Sequence, residues 1–290
     1  MQPRGTYSDD EAAALYDLLN PWGRADDFYL ALALEAPSVL DVGCGTGALL
    51  HRARQAGHHG RLCGVDPDES RLDVARRRED IEWVSAKAAS MRFAREFELA
   101  LMTGHAFQEL VTDAYIRDSL EAIRRALVDG GRFAFETRNP LVRAWESWIP
   151  ENAMDVVDAS GREIRIWHDV EAVANGVVTL TETTGDRDGR PLRVDRASLR
   201  FVDVDALARF LAEADLSIEA QYGGWRGETL EAASPEIITV ARTAHHQTAR
   251  LARQRRASAD AAASASCGTP CSKRAARSSS APSSPRRKRP

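Results

Sequence analysis

Nine residues, Val39-Leu40-Asp41-Val42-Gly43-Cys44-Gly45-Thr46-Gly47, constrain this chain more than any others. An apolar run that ends in an acid, then in three glycines at every second position, is a strand entering a tight loop. Glycine is required because only a residue without Cβ lets the backbone turn sharply and approach a ligand to contact distance. Ala48 to Arg54 reads as a helix, so its free N–H groups point back at the loop. The stretch is a nucleotide-type pocket, and two ligand classes use one. Gly43-x-Gly45-x-x-Ala48 formally meets the dinucleotide fingerprint, in which the helix start receives a pyrophosphate. Asp41, two residues before the first glycine, would repel a pyrophosphate but accept hydrogen bonds from a cationic amino group. A ligand with an α-amino group, a carboxylate and a ribose fits better.

Asp41-Val42-Gly43-Cys44-Gly45-Thr46-Gly47 is similar to the first motif of class I S-adenosylmethionine-dependent methyltransferases, and the resemblance covers roughly residues 10–243. It implies an α/β fold: a Rossmann-like, doubly wound, seven-stranded sheet with a terminal antiparallel strand, here with a β insertion over the active site. It also implies S-adenosylmethionine as cofactor and a small-molecule methyl acceptor. The residues alone leave alternatives open: an NAD(P)-dependent oxidoreductase using the same turn, or a degenerate, non-catalytic methyltransferase-like binding protein. A nucleic-acid methyltransferase is disfavoured, because no Asn-Pro-Pro-aromatic motif follows the fourth strand.

Charge is divided along the chain. Residues 241–290 hold twelve of the 39 bases and one of the 43 acids, so residues 1–240 carry 27 bases against 42 acids. An acidic body argues against phosphate-rich substrates, and nucleic acid needs a basic track. The tail, 244–290, is rich in Ala, Ser, Arg and Pro and is expected to be disordered, either touching nucleic acid or acidic surfaces weakly or standing as a solvated extension. No uncharged apolar run approaches the ~20 residues that cross a bilayer, and Met1-Gln2-Pro3-Arg4-Gly5 lacks a signal-peptide core. A cytoplasmic location is the expectation. Cys44 and Cys63 fall in the predicted core, Cys267 and Cys271 in the tail, with no disulfide framework and no metal spacing.

Five segments are expected: an N-terminal helical cap over 1–35, the cofactor-binding core over 36–140, an antiparallel β insertion over 141–202, closing helix and strands over 203–243, and the tail. In the cap, helices are read over Asp9 to Leu19 and about Ala25 to Leu34. Related enzymes cover the cofactor with such a segment, so Tyr16, Trp22 and Tyr29 are candidates to pack on it or on the substrate. They serve equally well to pin two helices.

Strand and helix then alternate, the signature of a parallel sheet. Asp66 ends the second strand 19 residues after Gly47, where a carboxylate can accept both ribose hydroxyls. A helix from Arg71 to Arg78 follows, and His58 and His59 read as solvated loop residues. At Lys87 the family usually carries an acid for the adenine amino group, and lysine offers only donors. Three readings follow: a register shifted by one residue, adenine read by the backbone of Ala88, or weakened cofactor affinity.

The fourth strand, Phe97 to Met102, leads into Thr103-Gly104-His105. Strand ends are where such sheets place their chemistry, so this loop should border the methyl group, and His105 is the candidate general base there or else shapes the pocket. A helix from Asp113 to Leu127, a turn at Asp129-Gly130-Gly131 and a strand from Arg132 to Thr137 recur at this place in the family. Glu136, Arg138 and Asn139 would face the substrate side, and a salt bridge within the sheet edge serves Glu136 and Arg138 equally well. A short helix is read from Leu141 to Trp148. Strands follow over Glu163 to Val173, Val177 to Thr184 and Leu192 to Asp203. By resemblance, Asp41, Gly43, Gly45 and Gly47 hold the methionine moiety, Asp66 the ribose, Ala88 the adenine edge, and Thr103 and Gly104 the neighbourhood of the sulfur.

Overall fold

The computed structural model describes residues 7–244. The basic tail, the extreme N-terminus, Cys267 and Cys271 lie outside the described residues. The first half of the chain contains α1 (Asp9–Leu19), α2 (Arg24–Glu35), β1 (Ser38–Val42), α3 (Ala48–Gln55), β2 (Arg61–Asp66), α4 (Glu69–Ala75), β3 (Glu82–Ser85), β4 (Phe97–Met102), α5 (Asp113–Ala126) and β5 (Leu127–Arg138). The second contains β6 (Met154–Val157), β7 (Glu163–Ala174), β8 (Val177–Asp186), β9 (Pro191–Arg200), α6 (Val204–Glu213), β10 (Leu216–Tyr222) and β11 (Glu236–Thr243).

Seven strands form one sheet in the order β10-β11-β5-β4-β1-β2-β3, and β6-β7-β8-β9 form a separate sheet. The expected α/β fold is present, including the closing antiparallel strand: β11 runs antiparallel to both β5 and β10. β1 lies between β2 and β4, with Val39 level with Leu62 and Leu99. This central place explains why Val39, Leu40 and Val42 are all buried, as an all-parallel strand covered on both faces must be. Helices on one face bury Phe97, Ile116, Leu120, Phe133 and Leu207; on the other, Tyr29, Ala33, Leu50 and Ala53 pack on Val39 and Leu99. Among the described residues no helix is long and apolar enough to cross a membrane.

The two N-terminal helices belong to different neighbours. α2 packs on the large sheet through Tyr29 and Ala33, whereas Tyr7 and Leu15 of the α1 segment join Ile164 and Ile166 of β7 in their own apolar cluster. Ion pairs Asp9–Arg193 and Glu11–Arg162 and the Tyr7–Asp158 hydrogen bond add to the contact. The two ion pairs are partly exposed and worth about 0–1 kcal/mol each. Burial of a single large apolar side chain contributes about 1.5–3 kcal/mol, so the apolar cluster holds α1 in place.

Several local expectations are corrected. The helix expected over Arg71 to Arg78 spans Glu69–Ala75 instead: Asp68 caps it by accepting from Ser70 N at 2.9 Å and Arg71 N at 3.4 Å. At its far end the Arg78 carbonyl accepts from Trp83 Nε1 at 3.0 Å. The expected turn at Asp129-Gly130-Gly131 is absorbed into β5 as an irregularity, with Gly130 at φ +77°. The short helix expected from Leu141 to Trp148 is reduced to a 3-10 turn at Ala144–Ser147, with a second 3-10 turn at Pro150–Asn152 just beyond it. The reason is tertiary, because Trp145 and Trp148 turn onto Phe201, with ring centroids 4.6 and 6.0 Å away. β6 had no expected counterpart; its four residues are too short for a period-two pattern to register. His58 is buried and bonds the Ala36 carbonyl at 2.7 Å, unlike exposed His59. Cys44 and Cys63 are buried free thiols.

Candidate active site

β1, β2, β4 and β5 end on the same edge of the sheet, and the glycine loop leaves from the middle of it. Gly43 N and Cys44 N donate to the Val65 carbonyl at 2.7 and 3.1 Å, and Gly47 N donates to the Cys44 carbonyl at 2.9 Å. Gly43, Gly45 and Gly47 all have positive φ, +78°, +55° and +78°. Their reasons differ. A Cβ on Gly47 would lie 2.4 Å from Trp83, and one on Gly64 would meet the same ring at 2.4 Å, so these two glycines make room for an indole. A Cβ on Gly45 would meet nothing within 4 Å. Gly45 therefore faces open space, and its glycine serves the backbone conformation and whatever approaches the loop.

Asp41 is 1 % exposed, and its Oδ1 has no hydrogen-bond partner. Burial, then the charges of Asp66 and Glu136, push its pKa up to about 7. A buried acceptor left unpaired costs about 1–3 kcal/mol, which a donor arriving at Asp41 would relieve. Asp66 is also buried, but both of its oxygens have partners: Oδ2 accepts from Gly45 N at 2.8 Å and Oδ1 from Asp68 N at 2.9 Å. Each carboxylate oxygen can accept a second bond, so these ties orient Asp66 without exhausting it. They also give it a duty its position in sequence did not announce, which is to hold the loop.

Ala88 is buried at the start of a 3-10 turn, while Lys87 caps that turn through its carbonyl and exposes its side chain. Thr103 and Gly104 follow β4. A Cβ on Gly104, which has φ +65°, would sit 3.4 Å from the Tyr16 hydroxyl, so α1 reaches the β4 end. The Tyr16 ring is also covered by the Arg71 guanidinium, 5.0 Å from its centroid. Tyr16 thus spans from α4 to the loop after β4.

His105 is held at two points. It has φ +61°, a conformation uncommon for a residue with a side chain, and its backbone N–H donates to Glu136 Oε1 at 2.8 Å. Its Nε2 lies 3.0 and 3.1 Å from the two carboxylate oxygens of Glu236 on β11. Glu136 is 1 % exposed and also accepts from the Tyr29 hydroxyl. Burial raises its pKa, against the lowering effect of His105 and Tyr29. Burial, then Glu136, raises that of Tyr29 well above the usual phenol range, so Tyr29 remains a donor. Arg138 donates to Gln108 Oε1 at 2.9 Å and stacks on Trp148, 5.3 Å from the ring centroid.

Two sequence candidates have other employment. Asn139 is 3 % exposed; its amide donates to the carbonyls of Ala232 and Ser234 and its oxygen accepts from Leu141 N, so it ties the loop before β11 to the end of β5. Trp22 donates to Asp27 Oδ1 at 2.8 Å under the Arg52 guanidinium, on the outside of α2 and α3. Glu236 and Gln108 were not singled out from sequence. No local pattern marks them, because their partners His105 and Arg138 lie 131 and 30 residues away.

Residues 39–131 match the family described as methyltransferase domain. The chain is 32 % identical over 154 residues to a 2-phytyl-1,4-naphtoquinone methyltransferase from Thermosynechococcus vestitus, covering 48 % of this chain and 67 % of that one. It is 30 % identical over 182 residues to a demethylmenaquinone methyltransferase from Symbiobacterium thermophilum, covering 54 % of this chain and 71 % of that one. Among solved structures, an S-adenosylmethionine-dependent methyltransferase from Clostridium acetobutylicum shares the fold with a TM-score of 0.65 at 16 % identity, over 81 % of this chain and 98 % of that one. An amino pentose methyltransferase from Micromonospora echinaspora, solved with S-adenosylmethionine bound, has a TM-score of 0.60 at 20 % identity, over 81 % and 97 % of the two chains. These likenesses lend the oxidoreductase alternative no support. With the glycine loop, the orphan acceptor of Asp41 and the strand order in place, the chain belongs to the S-adenosylmethionine-dependent methyltransferases.

Proposed function

We propose that this methyltransferase acts on a small molecule bound against the ends of β4 and β5, with the cofactor held by the glycine loop. The observation that carries the cofactor assignment is the pairing of an unpartnered, buried Asp41 Oδ1 with open space at Gly45. Both fit S-adenosylmethionine: a carboxylate for its amino group, and a bare backbone for its chain. Bound there, it supplies a methyl carbon already activated by a positive sulfur, so the protein has mainly to align the reactants and exclude water.

Asp66, fixed by Gly45 N and Asp68 N, accepts from the ribose hydroxyls through its remaining acceptor capacity. Ala88 offers backbone to the adenine edge, a reading supported by its burial beside the exposed Lys87. Thr103 and Gly104 border the sulfur. Tyr16, lying over Gly104, covers the bound pair, and Arg138 with Gln108 and Trp148 lines the acceptor side. His105 is the base, whereas Trp22 and Asn139 support the scaffold.

Small-molecule action is supported by the curated relatives, which are named for methylating a naphthoquinone and demethylmenaquinone, and by the acidic charge of residues 1–240. Buried free thiols at Cys44 and Cys63 suit a reducing, cytoplasmic compartment. The test is to incubate the protein with methyl-labelled S-adenosylmethionine and a bacterial extract separated into small-molecule, protein and nucleic-acid fractions. Label should enter the small-molecule fraction. Label confined to protein or nucleic acid would overturn the proposal.

A further inference from the structure

His105 is fixed at both ends by carboxylates from two neighbouring strands, Glu136 on its backbone and Glu236 on its ring. We infer that Glu236 is a positioning residue for His105: it accepts the hydrogen bond of Nε2–H, holds the proton on that nitrogen, and so leaves Nδ1 as the nitrogen that receives a proton from the methyl acceptor. This rests on the proposed site at the strand ends, and it narrows the acceptor to one bearing a hydroxyl or an amine.

The geometry is specific. Nε2 is nearly equidistant from both Glu236 oxygens, at 3.0 and 3.1 Å, and a carboxylate can only accept, so Nε2 must be the donor. In a neutral imidazole the other nitrogen is then unprotonated. The two side chains are sheltered but not sealed, 23 % exposed for His105 and 16 % for Glu236. Glu236 begins β11 opposite Arg138, and Asn139 N donates to the carbonyl of Pro235, so the backbone that carries Glu236 is itself held.

The charged and titratable groups around the ring all bear on this role. Glu236 faces it from β11 and Glu136 from β5. Tyr29 of α2 holds Glu136 in turn, and the Arg138 guanidinium lies within electrostatic reach of both carboxylates. The proton step balances simply. The O–H or N–H bond of the acceptor breaks, its electron pair stays on the acceptor atom, and the proton bonds to the Nδ1 lone pair. The imidazolium so formed is paired with Glu236 by a charge-assisted hydrogen bond, then loses the proton to solvent.

The test uses the full chain labelled with 15N-histidine, whose His105 signals are identified by their loss in His105→Gln. In the wild type the nitrogen shifts should report an Nε2–H tautomer, and Glu236→Ala should mix the two tautomers. In parallel, diethyl pyrocarbonate should modify His105, and saturation with S-adenosylhomocysteine should slow that modification at least fivefold while exposed His59 reacts at its free rate. An Nδ1–H tautomer in the wild type, or His105 unprotected in protein shown by calorimetry to be saturated, would overturn the inference. Apart from His105→Gln, which identifies the signals, the wild-type readings require no variant to fold. If S-adenosylhomocysteine does not bind at all, the cofactor site is what fails, and the tautomer still decides the role of Glu236.

Discussion

Cofactor affinity should fall steeply as pH drops through 7, and Asp41 is the reason. Its carboxyl is buried, one oxygen is unpartnered, and burial with neighbouring Asp66 and Glu136 pushes its pKa up to about 7. The ordinary carboxyl titrates near ~3.9, so between about pH 4 and pH 7 the folded protein holds a proton that the unfolded chain has released. The stability contributed by this group is therefore fully present below about pH 4 and is lost as pH rises through about 7. Holding the proton up to about pH 7 instead of about 4 corresponds to about 4 kcal/mol. Binding a cationic amino group reverses the preference, because the ionised carboxylate is then the form in demand.

If only ionised Asp41 binds, apparent affinity is divided by one plus the ratio of protonated to ionised carboxyl. That factor is about 11 at pH 6 and about 1.1 at pH 8. Calorimetric titration with S-adenosylhomocysteine in two buffers of different ionisation enthalpy measures both quantities: about 0.9 proton should be released per ligand at pH 6, and about 0.1 at pH 8. Asp41→Asn, which cannot ionise, should bind at least tenfold more weakly at pH 8 and show no pH dependence between 6 and 8. A wild-type affinity that is flat over this range, with no proton released, would refute the assignment of Asp41.

Two glycines two residues apart should respond differently. Gly47→Ala drives a Cβ to 2.4 Å from Trp83 at φ +78°, so thermal melting should show a loss of about 2–4 kcal/mol. Gly45→Ala meets no protein atom, so it should cost only about 1 kcal/mol of left-handed backbone preference while weakening S-adenosylhomocysteine binding tenfold or more; equal effects on stability and binding at the two sites would contradict this division. Asp66→Ala should both lower the melting temperature, by freeing Gly45 N and Asp68 N, and weaken binding at least tenfold; unchanged affinity would remove Asp66 from the ribose site.

The sequence by itself determined the core of this protein. Val39–Gly47, the placement of Asp66 and the alternation of strand and helix are local properties: glycine spacing expresses which backbone angles are open, and apolar periodicity expresses which face is buried. Helices could be located from the same signals, although the α4 ends moved because Asp68 caps it and Trp83 takes the carbonyl of Arg78. The turn glycines before the β5 centre were visible, but whether they end a strand or kink it depends on the partner strand.

What only the tertiary structure decided is which residue each side chain meets across the chain. Asn139 was readable as a polar residue at a strand end, yet its amide is spent on the carbonyls of Ala232 and Ser234. Trp22 was readable as a cofactor aromatic, yet it pairs with Asp27 and Arg52. α1 carries the pattern of an ordinary amphipathic helix, and nothing local says that its apolar residues meet Ile164 and Ile166 of the second sheet rather than the first. His105 and Glu236 meet because β4 and β11 flank β5, an adjacency created by strand order and not by sequence distance. Local chemistry determines the kind of element a segment becomes, whereas sites assembled from distant strands exist only once packing has set the register between them.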